Sequence, residues 1–213
     1  MLPEYTSISY PANFMSNSSI ALVHQDRVFP DKKLPGDLAM WFFILAELTV
    51  FALFFIGFAV SEQLNETMFS QGKAQLHQMS GLINTIALIT SSFFVALALT
   101  AMHKAQAKKA VLLLLTAKVF ALIYISVKVW EYLSLFKQGI TIETNTFFTL
   151  YFLITAFHLM HVLLGMVILA FLAYSAWHDK YLNNDLSGFE AGTSYWHMVD
   201  LLWIILFPLI YVI

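Results

Sequence analysis

Two pairs of residues carry the most chemical information in this chain. His158 and His161 stand three apart, as do His197 and Asp200, and on a helix residues at that spacing share a face. Imidazoles so placed can ligate a metal ion or a haem iron, and a neighbouring carboxylate can complete the site or pass on a proton. Glu47 is a third candidate, set among Phe43, Ile44, Phe51 and Phe54. All of these residues lie within long apolar runs. An ionisable side chain at bilayer depth costs about 2.5–3.5 kcal/mol at a helix centre on insertion scales, so it faces protein and serves a purpose.

Three purposes compete: ligation, proton movement, and hydrogen bonding between helices. The remaining histidines, His24, His77, His103 and His178, fall outside the apolar runs. The three inside them cannot supply both a bis-histidine haem and a three-histidine copper site. The chain has no cysteine, which removes thiolate metal sites, Cys-x-x-Cys-His haem attachment and disulfides. Inter-helix hydrogen bonding is therefore the expected role, with no metal in this chain.

Other polar residues extend the set. Lys128 is spaced to pair with Glu131 at i+3 or Tyr132 at i+4, near enough to a helix end for the lysine to reach the interface. Lys118 lies at a depth similar to that of Glu47, about 14 Å into its span at 1.5 Å per residue, so a Glu47–Lys118 pair competes with snorkelling of Lys118 to the surface. Gly165 continues the stripe of His158 and His161 and allows close approach of a partner helix. Trp41, Trp177 and Trp196 fall near helix ends, where indoles favour the headgroup level. Tyr195 and Trp203 complete the expected interface aromatics with Trp41 and Trp196.

The elements that position these residues follow from composition. Sixty per cent of the 213 residues are apolar and 11% are charged, and the mean hydropathy is +0.74, outside the soluble range. The net charge of −2 argues against nucleic acid as a partner. Residues 1–36 are polar and punctuated by Pro3, Pro11, Pro30 and Pro35, without the hydrophobic centre of a secretory signal. They are expected to form an irregular cytoplasmic arm, with Asp37 as N-cap of the first helix. Residues 37–213 form the membrane domain. Its apolar spans are Leu38–Val60, Met79–Met102, Ala110–Phe136, Thr146–Trp177 and Ser194–Ile213, each near or above the ~20 residues needed to cross a bilayer. They must be helices, because lipid cannot satisfy an open backbone. The expected fold is all-α, a polytopic bundle of five transmembrane helices with sequential neighbours antiparallel. Arg27, Lys32, Lys33, Lys104, Lys108, Lys109 and Lys180 fall on one side, against Lys73 and Lys137 on the other. The positive-inside rule then puts the N-terminus in the cytoplasm.

Four segments, taken in order, are similar to subunit III of the haem–copper respiratory oxidases, the cytochrome c oxidase type. Trp41-Phe42-Phe43-Ile44-Leu45-Ala46-Glu47 resembles that family's helix with a buried glutamate, and Trp130-Glu131-Tyr132 its Glu-Tyr helix ending. Thr155 to Gly165, containing His158 and His161, resembles its Phe-His-Gly-x-His-Val helix, with Leu159 in place of the central glycine. Gly188-Phe189-Glu190, Tyr195-Trp196-His197 and Asp200-Leu201-Leu202-Trp203 resemble its closing motif, with Met198 in place of a phenylalanine. The family's larger members have seven spans, and the first two are missing here, as in the five-helix branch that accompanies nitric-oxide reductases and in some terminal oxidases.

The resemblance implies a non-catalytic accessory subunit in a bacterial inner membrane. It would support the stability, lipid retention and proton uptake of a haem–copper catalytic subunit I, possibly beside subunit II. Haem and copper would belong to subunit I, and bound phospholipid to a cleft near Glu47. The parent complex reduces oxygen or, in the alternative, nitric oxide. A small proton or ion pathway built on Glu47, Lys118 and Asp200 is the competing reading from another class, and a metalloenzyme on His158, His161 and His197 is the third.

Overall fold

A computed structural model describes residues 38–178, 181 and 186–212. The expected arm at 1–36, Asp37, and the charges Arg27, Lys32, Lys33 and Lys180 lie outside the described residues. Six helices are present among those described: α1 (Leu38–Leu64), α2 (Glu66–Ala74), α3 (Gln78–His103), α4 (Ala107–Lys137), α5 (Thr146–Trp177) and α6 (Ser187–Tyr211). All but α2 are long and apolar enough to cross a membrane. The protein is an all-α, multi-pass membrane protein, with no strand among the described residues.

The span limits hold for α5 and need extension elsewhere. The last helix starts at Ser187, seven residues before the expected Ser194, because Gly188-Phe189-Glu190 continue its first turns and bury Phe189. The short α2 was not foreseen. It lacks an apolar run and is held by Phe69, which meets Phe58 of α1 at 5.1 Å and Phe147 of α5 at 5.3 Å between centroids, and by the ion pair of Lys73 with Glu62 of α1. Edge-to-face rings at such distances attract beyond simple burial.

Two tight connections set the order of helices. After α3 the chain reverses through Ala105, which adopts φ +54°, while Gln106 N–H donates to the Ala101 carbonyl at 2.9 Å. The same closure follows α4, where Gly139 takes φ +79° and Ile140 N–H reaches the Leu135 carbonyl at 3.0 Å. Both are left-handed helix stops, natural for glycine and strained for alanine. Asn145 then opens α5, its side-chain oxygen accepting from Phe148 N–H at 2.9 Å, as an N-cap should.

The α3–α4 hairpin is the most extensive pairing, α6 packs on α3, α5 and α1, and α5 packs on α4, α6 and α1. Small residues allow the closest approaches. A Cβ on Gly165 of α5 would lie 2.8 Å from the Trp196 ring of α6, so only glycine admits that indole. Trp196 is thus core, not a headgroup anchor. Tyr195 and Trp203 are buried with it, since α6 is the most enclosed span. Trp41 and Trp177 are exposed, consistent with anchoring at a membrane surface. The outlying helix is α1, which touches α5, α6 and α2 and turns Phe42, Leu45, Leu53 and Ile56 outward.

Candidate functional site

The polar residues at membrane depth fall into separate groups, each built from a different set of helices. The first is centred on Lys128 of α4. Its ammonium donates to Glu131 Oε2 at 3.0 Å, to the Tyr151 hydroxyl of α5 at 3.0 Å and to the Tyr211 hydroxyl of α6 at 2.9 Å. Tyr211 donates in turn to Glu131 at 2.8–2.9 Å. An ammonium has three protons, and here each finds an oxygen. The Tyr151 ring adds a cation–π contact, with the nitrogen 4.7 Å from its centroid. Side-chain exposure is 0% for Lys128 and 1% for Glu131. The lysine therefore does not reach the interface, contrary to the expectation from its position. Three acceptors, one from its own helix and two from neighbouring helices, hold it inside. Tyr132 stands beside this group, donating to Thr155 Oγ1 at 2.7 Å, because the Thr155 proton is already committed to the Tyr151 carbonyl.

The second group links α1 to α5. Glu47 Oε2 lies 3.0 Å from His161 Nε2. His161 Nδ1 lies 2.8 Å from the Phe157 carbonyl, which can only accept, so Nδ1 carries a proton. The Glu47–His161 contact must then contain exactly one more shared proton: on nitrogen as an ion pair, or on oxygen as a neutral pair. Either way the pair is electrically neutral overall, which suits the apolar surroundings. The Tyr195 hydroxyl donates to the His161 carbonyl at 3.4 Å, and the ring of Phe51 packs edge-on against the imidazole.

Glu47 and Lys118 are not brought together. The carboxylate takes His161 instead, because α1 packs on α5 and α6 while Lys118 lies on α4, partly exposed. Nor do His197 and Asp200 join His158 and His161. His197 Nδ1 meets Ser92 Oγ of α3 at 2.6 Å, and no cluster of three or more His, Asp or Glu side chains suited to a metal occurs among the described residues. At the end of α3, His103 Nε2 lies 3.1 Å from Glu190 Oε1.

A third set has no hydrogen-bond partner among the described residues. Both ring nitrogens of His158, both side-chain polar atoms of Asn84 and the Tyr124 hydroxyl are buried without a hydrogen bond, as are Trp196 Nε1 and Asp200 Oδ1. Each such atom costs about 1–3 kcal/mol when left unsatisfied. The first five alone would consume an amount comparable to the ~5–15 kcal/mol net stability of a typical domain. Asn84, Ser91, Ser92, Thr85, Tyr124, Tyr151 and Tyr211 escaped the sequence reading, which followed ionisable groups. The legible signal was the spacing of Asn84 to Ser91 and of Thr85 to Ser92, seven apart on α3, which repeats polar residues on one helical face.

Two apolar grooves flank α1. One, of about 300 Å³, runs between Trp41, Ile44 and Leu48 of α1 and His197, Met198 and Leu201 of α6. The other, of about 530 Å³, lies between Met40 and Phe43 of α1, Ile168 and Leu172 of α5, and Gly188 and Gly192 of α6.

The sequence model of the family described as cytochrome c oxidase subunit III matches residues 12–213. A Buchnera aphidicola protein named cytochrome bo(3) ubiquinol oxidase subunit 3 is 25% identical, covering 92% of each chain. Cytochrome c oxidase subunit 3 of Synechocystis sp. is 31% identical over 89% of this chain and 79% of its own. The heme-copper oxidase subunit I+III of Aeropyrum pernix is 28% identical over 87% of this chain, which spans 23% of that longer protein. With five membrane-length helices and a match over nearly its whole length, the chain belongs to the cytochrome c oxidase subunit III family of the haem–copper oxidases.

Proposed function

We propose that this chain is a cofactor-free accessory subunit that docks on the catalytic subunit I of a haem–copper oxidase and sustains it. One observation carries the reading: the ionisable residues at depth engage neighbouring helices in separate places and do not converge on one centre. Lys128, Glu131, Tyr151 and Tyr211 tie α4 to α5 and α6; Glu47 and His161 tie α1 to α5; Ser92 and His197 tie α3 to α6. Bonds across membrane helices fix the bundle without needing a cofactor. The name of the Aeropyrum relative, which joins subunits I and III, supports docking on subunit I. Haem and copper reside there, and subunit II lies in the same assembly.

The apolar grooves beside α1 hold acyl chains of phospholipid, which fits their apolar lining and their place along the helix that carries Glu47. The Glu47–His161 pair holds its proton near that lipid face, and it is the group through which this subunit assists proton uptake. The N-terminus faces the cytoplasm of a bacterial inner membrane, a reading supported by Lys104, Lys108 and Lys109 gathered at the α3–α4 turn.

The test is purification through a tag on this chain, followed by its selective removal from the complex. A many-helix haem protein should co-purify. Removal should leave haem per catalytic subunit unchanged while shortening the period over which the complex stays active in turnover. Haem or copper leaving with this chain overturns the proposal. Because the chain lacks cysteine, the exposed positions in Lys108→Cys and Lys137→Cys read the orientation directly with an impermeant maleimide on intact cells: only Lys137→Cys should react.

A further inference from the structure

We infer that Asn84, Tyr124 and His158 form a binding site for water in the membrane interior of the bundle. The site comes from three helices. Ser91 Oγ of α3 donates to the Ala117 carbonyl of α4 at 2.8 Å, which fixes the register of that antiparallel pair. Two turns further along, seven residues in each chain direction, that register sets Asn84 opposite Tyr124. The Tyr124 ring stands edge-on to His158 of α5, with centroids 5.9 Å apart. Trp203 of α6 closes the side, 5.0 Å from Tyr124 and 5.2 Å from His158, and it is tied to α3 through Thr85 Oγ1 at 3.0 Å.

The chemistry of the set selects the ligand. Five atoms lack a partner among the described residues: the amide nitrogen and oxygen of Asn84, the Tyr124 hydroxyl and both nitrogens of His158. Together they provide donors and acceptors without a formal charge, since an uncharged imidazole offers one of each. The nearby cation, Lys128, is already saturated by Glu131, Tyr151 and Tyr211. A neutral molecule that both donates and accepts is therefore required, and among such molecules water is the smallest and the one that fits a site closed by packed rings. A buried water makes about two to four hydrogen bonds, a number these five atoms supply. Rings can accept weak hydrogen bonds, but His158 cannot direct both nitrogens and Asn84 its carbonyl oxygen to ring faces. The site lies one helical turn from His161, with the ring of Phe51 packed against both imidazoles.

X-ray radiolytic labelling of the purified complex tests this, because radicals generated from a bound water oxidise the side chains beside it. With mass spectrometry in ¹⁸O-enriched water, Tyr124 should be labelled about ten-fold faster than Tyr151 and Tyr211, which are equally buried but have bonded hydroxyls, and His158 should be labelled with it. The pair Asn84→Leu and Tyr124→Phe should bring His158 down to background. Labelling of Tyr124 and His158 no faster than Tyr151 and Tyr211 in the unaltered protein overturns the inference, as does His158 labelling that persists in a folded double variant.

Discussion

The Lys128 cluster and the Glu47–His161 pair both join a carboxyl group to a nitrogen base at membrane depth, yet they are built differently. The first starts as an i, i+3 pair on α4 and is then enclosed by tyrosines from α5 and α6, with every ammonium proton placed. Taking two charges out of water costs several kcal/mol per ion unless the remaining donors and acceptors are filled, and here they are. The second joins residues 114 apart in sequence, rests on a single contact, and leaves Glu47 21% exposed beside His161 at 5%. One is a sealed knot holding three helices; the other is a single latch on the least enclosed helix, next to apolar grooves. A sealed knot serves cohesion, and the latch, open on one side, is the contact on which the proposed role in proton uptake rests.

The largest expected effect comes from cutting the knot. Glu131→Gln leaves the Lys128 charge buried without its counter-ion and should cost about 3–5 kcal/mol, read as an early thermal transition in detergent or as loss of the chain from the complex. Next is Gly165→Leu, which drives a side chain into Trp196 and forces α6 away from α5. Overpacking of this kind costs about 1–3 kcal/mol, and the same melting measurement checks it. Opening the latch should cost less. Glu47→Ala removes one inter-helix bond, worth about 0.6–1.7 kcal/mol in membrane proteins, while Glu47→Gln keeps a donor for His161 and should melt close to the parent. If Glu47→Ala proves as damaging as Glu131→Gln, the contrast between knot and latch is wrong. At the far end, Ala105→Gly relieves a left-handed alanine and should gain up to about 1 kcal/mol, a control remote from both clusters.

The five spans were legible because lipid imposes one rule on every apolar run, and α5 matched to the residue at both ends. The Lys128–Glu131 contact was legible for a related reason: an i, i+3 spacing is a local fact of the helix. The Glu47–His161 contact was not, since it depends on how α1 is rotated against α5, which no local pattern encodes. Lys118 looked equally suitable from depth alone, but depth says nothing of which helix is the neighbour. The seclusion of Lys128 was missed because its acceptors, Tyr151 and Tyr211, are distant in sequence and carry no charge. The helix α2 left almost no trace, as one ring, Phe69, and one ion pair, Lys73 with Glu62, hold it in place. Trp196 was misplaced at the headgroups because its cavity is made by the absence of a side chain at Gly165 on another helix.

The central claim is that the Lys128 knot fastens helices and does no chemistry of its own. The double variant Lys128→Met with Glu131→Leu tests it most directly, with thermal melting and turnover of the assembled complex measured together. Apolar residues of similar volume can replace a buried ion pair at little or no loss of stability, so the account predicts a melting point near the parent's and well above that of Glu131→Gln, with turnover preserved. A double variant that melts like the parent but whose complex no longer turns over would contradict it, and would make the pair a working part of the enzyme.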